Sequence, residues 1–191
     1  MEQKWTVVLA SASPRRRELL RHILPEFQVQ SADIDETPAA GETPESIVQR
    51  LASEKARNVA LKTPSHAVLG SDTVVAIGTT VLGKPKNEKD FLGMMNRLSG
   101  TLHHVYTAVS LVHQGVTKVI LVSTEVEFSQ INEREARQYW NTGEPADKAG
   151  GYAIQGIGGQ FVKNIHGSVS AVIGLPLYET KALLKGAGIV E

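Results

Sequence analysis

Apolar and polar positions change period several times along this chain. Trp5 to Ala10 is a β-rich, mostly apolar run that predicts a buried strand. Ser13-Pro14 then reads as a helix start, a hydroxyl N-cap followed by proline at the first helical position. Leu19, Leu20, Ile23 and Leu24 supply its apolar stripe. Phe27 to Gln30 predicts a short strand, and Ser31 to Thr43 an acidic loop containing proline and glycine. Thr43-Pro44 opens a second helix with Ile47, Val48, Leu51, Ala52, Val59 and Ala60 at helical spacing. Ala67–Leu69 and Thr73–Ile77 read as strand segments interrupted by Gly70-Ser71-Asp72. A third helix runs from an Asn87 cap through Phe91, Met94, Met95 and Leu98 to a stop at Gly100. Leu102–Val112 and Val116–Phe128 predict a long hairpin turning at Gln114-Gly115. Asn132 with Glu135 is a capping-box pattern for a fourth helix. The remainder is glycine-rich as far as Pro176, which starts the final helix. Early alternation of strands and helices followed by a hairpin predicts an α/β fold with a mixed twisted sheet and flanking helices.

Composition narrows the class. The chain has 191 residues, enough for a single domain over 1–191, with or without two lobes. Its 41% hydrophobic and 21% charged residues suit a globular protein. Lys+Arg and Asp+Glu both number 20, so there is no overall field to attract nucleic acid or an anionic membrane, and any anion site must be local. The absence of cysteine removes disulfides, thiolate metal sites and cysteine nucleophiles. Met1 to Ala10 lacks the apolar core and cleavage site of a signal peptide, and no stretch approaches the roughly 20 apolar residues of a membrane span. A cytoplasmic protein is expected.

Four places break local rules, and such places point to function. Arg15, Arg16 and Arg17 crowd a helix start that carries roughly half a positive charge, which makes sense if an anion sits there too. The alternative is a solvated basic patch, the reading preferred for Arg17 and Arg21. Lys55 lies within the apolar stripe of its helix, where a lysine by default snorkels its ammonium to water. Asp72 stands between Val68-Leu69 and Val74-Val75, costly unless paired or metal-bound, or else a turn residue beside Gly70. Lys84 sits on the rigid turn Gly83-Lys84-Pro85. Cations for phosphate oxygens, with Asp72, Asp33, Asp35 and Glu36 for a metal or a water, are the parts that phosphoryl chemistry requires. No Walker-type glycine-lysine loop occurs. The six histidines show no metal-ligand spacing with acidic partners and read as surface or strand residues.

At these same residues the sequence resembles the Maf family of nucleotide pyrophosphatases. The motifs run in order along nearly the whole chain: Leu9 to Leu20, Arg50 to Ala56, Gly70-Ser71-Asp72-Thr73, Gly83-Lys84-Pro85, Asp147 to Tyr152 with Ile154-Gln155-Gly156, and Val172 to Pro176. The resemblance implies two lobes around a cleft, akin to inosine triphosphatases, and hydrolysis between the α and β phosphates. It implies Asp72 as proton acceptor, with Glu36, Lys55 and Lys84 around the phosphates and a divalent Mg²⁺ or Mn²⁺. On this resemblance Asp72 and Glu36 hold the metal, with Asp35 a rival for the second place, while Ser11 and Arg15 match the phosphate-binding loop. Arg16, Thr73 and Gln155 form the pattern of members acting on dTTP and UTP; members acting on 7-methyl-GTP carry tryptophan, glutamine and glutamate there. A homodimer and an association with septum formation are also implied. Two competing readings stand beside this one: a nucleotide-binding regulator of cell division with incidental hydrolysis, and a purine-specific pyrophosphatase.

For Gln155 the residues suggest a strand end that offers its amide to the carbonyl and N–H groups of a pyrimidine. Gly150, Gly151, Gly156, Gly158 and Gly159 would then let the backbone approach a flat ring. The plainer alternative is that Gln155 satisfies a turn and the glycines serve tight bends.

Overall fold

The computed structural model describes residues 5–191, so the predicted readings of Met1 to Lys4 lie outside the described residues. Its strands are β1 (Val7–Leu9), β2 (Gln28–Val29), β3 (Ala67–Ile77), β4 (Thr80–Leu82), β5 (Leu102–His113), β6 (Val116–Phe128) and β7 (Val162–His166). The helices are α1 (Pro14–Arg21), α2 (Pro44–Ala60), α3 (Glu88–Leu98), α4 (Glu133–Trp140), α5 (Val169–Ile173) and α6 (Leu177–Gly186). The strands form one mixed sheet of order β2-β1-β3-β5-β6-β7, with β4 paired to β3. β1 is parallel to both β2 and β3, whereas β3–β4 and β6–β7 are antiparallel.

The helix starts form where their caps predict. Ser13, Thr43, Asn87 and Asn132 each accept a backbone N–H from the first turn of the helix that follows. Asn132 and Glu135 make the full reciprocal capping box. The β5–β6 hairpin turns at Gln114 and Gly115, both at positive φ (49° and 77°), which matches the right-handed twist of its strands.

The chain divides into two compact units. The first comprises the chain up to Asp72 with Thr107–Val122 and Gly174–Glu191, and the second comprises Thr73–Tyr106 and Ser123–Ile173. In the first, Ala56 and Val59 of α2 pack against Val8, Ala10 and Val68 of the sheet. The predicted break at Gly70-Ser71-Asp72 does not occur, and β3 runs through it without interruption. Gly70 serves helix packing instead of a turn. A Cβ there would lie 2.3 Å from the Ala52 carbonyl oxygen and 2.8 Å from the Ala56 nitrogen. The absence of a side chain at this position lets α2 lie directly on the strand.

The second unit is built on aromatics. Phe91, Phe128, Tyr139, Tyr152 and Phe161 are all buried in one cluster. Ring centroids lie 5.9 Å apart for Phe91–Tyr139, 5.3 Å for Tyr139–Phe161 and 4.7 Å for Phe128–Tyr152. Its β4, β7 and short 3₁₀ turns have no predicted counterpart. The exposed and half-exposed residues of β7 carry no apolar run, and pairing to β6 makes them a strand. His103 is a fully buried strand residue whose Nε2 lies 2.8 Å from the Tyr152 hydroxyl. Burial, with a smaller contribution from His104, pulls the His103 pKa down to about 4.

This packing has measurable consequences. Gly70→Ala should lower the thermal midpoint, costing about 1–3 kcal/mol or more by overpacking. Gly93→Ala, in open space on α3, should be neutral or stabilising by up to about 1 kcal/mol. For His103, the unfolded chain binds the proton first as pH falls, so its contribution to stability is present above pH 6.5 and lost toward pH 4. The loss is on the order of 3 kcal/mol. Denaturant titrations should show the stability gap between wild type and His103→Gln shrinking over that interval.

Candidate active site

At the start of α1 most backbone donors already have partners. Ser13 N–H reaches Ser11 Oγ at 3.2 Å, Pro14 has no N–H, and Arg16 N–H reaches Ser13 Oγ at 3.4 Å. Among the described residues this leaves the Arg15 N–H as the helix-start donor still to be satisfied. Ser11 Oγ also lies 3.5 Å from Arg16 Nη1, so it already accepts from two sides and keeps its own proton to donate. No acidic residue occupies the first turn. Arg17 and Arg21 are exposed, as the basic-patch reading expects.

Arg16 behaves differently from those two. It is partly buried, and its Nε donates to the Gly174 carbonyl at 2.8 Å. Desolvation lowers its pKa. The charges of Asp72 and Glu36 oppose that shift, and Arg15 adds to it. The same Gly174 carbonyl lies 3.0 Å from Ser71 Oγ, which is also 2.9 Å from the Ala108 carbonyl on β5. Neither Ser71 nor Gly174 was among the candidate residues. The available signal was the motif from Val172 to Pro176, in which Gly174 holds φ at 133°.

Lys55 does not snorkel. It is only 8% exposed, and its Nζ lies 2.7 Å from Asp72 Oδ1 and 2.9 Å from Glu36 Oε1. Asp72 is buried on an extended strand, which replaces the turn reading. One helix lysine therefore joins a strand aspartate to a loop glutamate. The loop itself is fastened to α2. Arg50 pairs with Glu42 at 2.6 Å and donates to the Thr37 carbonyl at 3.2 Å, while Asn58 bonds Asp33 through both backbone groups. Asp35 is engaged locally, with its Oδ1 accepting Thr37 N–H at 2.9 Å, and the bonds from Thr37 hold its pKa down. Glu36, not Asp35, is the loop acid that pairs with Lys55.

The donor set fits a divalent cation. Asp72 and Glu36 are hard oxygen donors converging on a single positive charge. No group of three His, Asp or Glu side chains suited to a metal stands together among the described residues. One or two carboxylates completed by phosphate and water is the pattern that Mg²⁺ favours.

The remaining candidates belong to the second unit. Thr73 follows Asp72 on β3, and Lys84 is exposed beyond β4, where Gly83 O accepts Gly150 N–H at 3.0 Å. Gln155 is exposed on a turn closed by Gly156 N–H to Ala153 O at 3.2 Å, not at a strand end. The neighbouring glycines make room for this unit's own atoms. A Cβ would strike Val75 at Gly150, Phe91 at Gly151, Glu144 at Gly156, Tyr139 at Gly158 and the Ile154 carbonyl at Gly159. These contacts suit the reading in which the glycines serve tight bends.

The family model described as Maf-like protein matches residues 6–187. The chain belongs to the Maf-like family. Among its relatives, a dTTP/UTP pyrophosphatase of Pseudoalteromonas atlantica is 53% identical over 183 residues, 93% of this Maf chain and 95% of that protein. Another, from Myxococcus xanthus, is 52% identical over 96% of this chain and 93% of its own. A third, from Colwellia psychrerythraea, is 50% identical over 96% and 89%. Among solved structures, a HAM1 protein from Coxiella burnetii aligns at TM-score 0.47 and 18% identity over 65% of this chain and 73% of that one. No helix of the described residues is long and apolar enough to cross a membrane.

Removing Lys55 while keeping Asp72 leaves a buried carboxylate without its counter-ion. Lys55→Met should cost about 3–5 kcal/mol. Adding Asp72→Asn to it should recover a large part of that loss, and a double-mutant cycle on unfolding free energies measures the coupling.

Proposed function

We propose that this Maf-like protein hydrolyses dTTP and UTP to the monophosphate and pyrophosphate. The observation that carries the reading is the Lys55 ammonium held between Asp72 and Glu36, within electrostatic reach of the Arg16 helix start. Relatives of about half identity over nearly their whole length, named dTTP/UTP pyrophosphatases, supply the substrate class.

In this reading Ser11 O–H, Arg15 N–H and the Arg15 guanidinium bind phosphate oxygens at the start of α1. Lys84 adds a further cation to the triphosphate. Asp72, paired with Lys55, accepts the proton of a water that attacks the α-phosphorus, with Glu36 helping to orient that water. Asp72 and Glu36 would hold Mg²⁺ or Mn²⁺, which when bound neutralises phosphoryl oxygens as a Lewis acid. Lys55 keeps the two acids together and offsets their charge. Arg16, Thr73 and Gln155 select the base, Gln155 through an amide able to match the carbonyl and N–H pattern of uracil or thymine. A site that hydrogen-bonds its substrate strongly rejects an analogue that leaves its polar groups unpaired.

The test is a panel of nucleoside triphosphates with Mg²⁺ or Mn²⁺, scored for first product and kcat/KM. Pyrophosphate as first product and a clear preference for dTTP and UTP over ATP and GTP are expected. Free phosphate as first product, or equal kcat/KM for UTP and GTP, defeats the assignment. Asp72→Asn, in which Glu36 still meets Lys55, should remain folded at the assay temperature, with some loss of stability, yet turn over about 10²-fold more slowly or worse, and Gln155→Glu should erode the pyrimidine preference.

A further inference from the structure

Glu144 lies on a 3₁₀ turn after α4, and its side chain is committed to a different part of the chain. Its Oε1 accepts the N–H of Ile157 at 2.9 Å. Its Oε2 accepts the N–H of Gly158 at 2.9 Å and the hydroxyl of Tyr139 at 2.5 Å. The Tyr139 oxygen in turn accepts the N–H of Ala153 at 3.2 Å. One carboxylate and one phenol thus hold both ends of the segment 153–158, with Gln155 exposed between the two anchors.

The segment is shaped to these two side chains. A Cβ on Gly156 would lie 1.8 Å from Glu144 Oε1, and one on Gly158 would lie 2.4 Å from the Tyr139 oxygen. Glycine at those positions lets the backbone close onto the acid. The protonation states suit the arrangement as well. Burial pushes the Glu144 carboxyl up, but the bonds from Tyr139, Gly158 and Ile157 outweigh it and hold its pKa below the ordinary value. Burial and the neighbouring carboxylate push the Tyr139 phenol up, so it remains a donor.

A surface turn needs no such machinery to satisfy its own backbone, since water can do so. A half-buried carboxylate that commits both oxygens to two consecutive N–H groups instead fixes where the intervening residues point. We propose that Glu144, acting through Tyr139, is the positioning residue of the base-selecting loop, holding Gln155 where its amide discriminates a pyrimidine from a purine. This rests on the role given to Gln155 in the proposed function.

The test uses the full chain with Glu144→Gln and, separately, Tyr139→Phe. Glutamine keeps the size of the side chain but turns an NH₂ toward a backbone N–H. Three quantities are read: amide hydrogen exchange at Ile157 and Gly158, KM and kcat for UTP and GTP, and thermal unfolding. In Glu144→Gln the two amides should exchange at least about tenfold faster, the scale of one lost charged hydrogen bond. KM for UTP should rise about tenfold with kcat changed far less, and the UTP-to-GTP ratio of kcat/KM should fall about tenfold. Tyr139→Phe should move all of these the same way by less, and the double variant should fall short of the sum. Unchanged exchange, or faster exchange with KM and selectivity unmoved, overturns the inference. If wild type shows no pyrimidine preference, the proposed function fails on its own. The positioning role is then judged by whether exchange and the KM of whichever triphosphate is turned over still move together in Glu144→Gln.

Discussion

An ammonium inside a protein costs several kcal/mol of hydration unless opposite charge meets it at close range. In this chain Lys55 is met twice, by Asp72 from the strand and Glu36 from the loop. The rest of the first unit can be understood as what this meeting requires. α2 must lie close enough to β3 for a lysine stem to reach a strand carboxylate, and Gly70, two residues before Asp72, lacks the side chain that would hold the helix away. The loop must present Glu36 to the same point, and Arg50 and Asn58, both on α2, tie that loop to the helix that carries Lys55. Packing and chemistry therefore depend on the same few atoms.

The arginine-rich start of α1 follows a related logic. A helix start is already electropositive, so adding arginines is unfavourable until an anion arrives. Arg16 is restrained by the Gly174 carbonyl, a neutral acceptor that helps to orient the guanidinium. The Ser11 hydroxyl accepts from two donors and so has its proton directed elsewhere. Groups held in place by neutral neighbours before a ligand arrives are the basis of electrostatic preorganisation.

The second unit handles polarity in the opposite way. Its aromatic core tolerates a neutral His103, and its half-buried loop-binding acid, Glu144, is satisfied by donors from the backbone and a phenol. The glycines from Gly150 to Gly159 are where this arrangement is tightest. They read in the sequence as room for a flat ring or as tight bends, and in the structure each is a place where a neighbouring side chain or carbonyl leaves no room for a Cβ.

By itself the sequence determined the parts governed by nearest neighbours. Caps at Ser13, Thr43, Asn87 and Asn132 place four helix starts because the stabilising bond lies within three residues. Gln114-Gly115 fixes a hairpin because two positive φ angles suffice. The anomalies at Lys55 and Asp72 were legible as residues in the wrong company, Glu36 was singled out by the family resemblance, and the structure joins all three. Only tertiary structure could decide what each was for. Whether Asp72 sat on a turn or a strand depended on β1 pairing beside β3 and on α2 pressing against Gly70. Whether Asp35 or Glu36 met the lysine depended on which acid the backbone of Thr37 claimed first. β7 and the Gln155 turn depended on partners distant along the chain. Such contacts leave no periodic trace, because the energy that selects them is gained only when distant segments are already side by side.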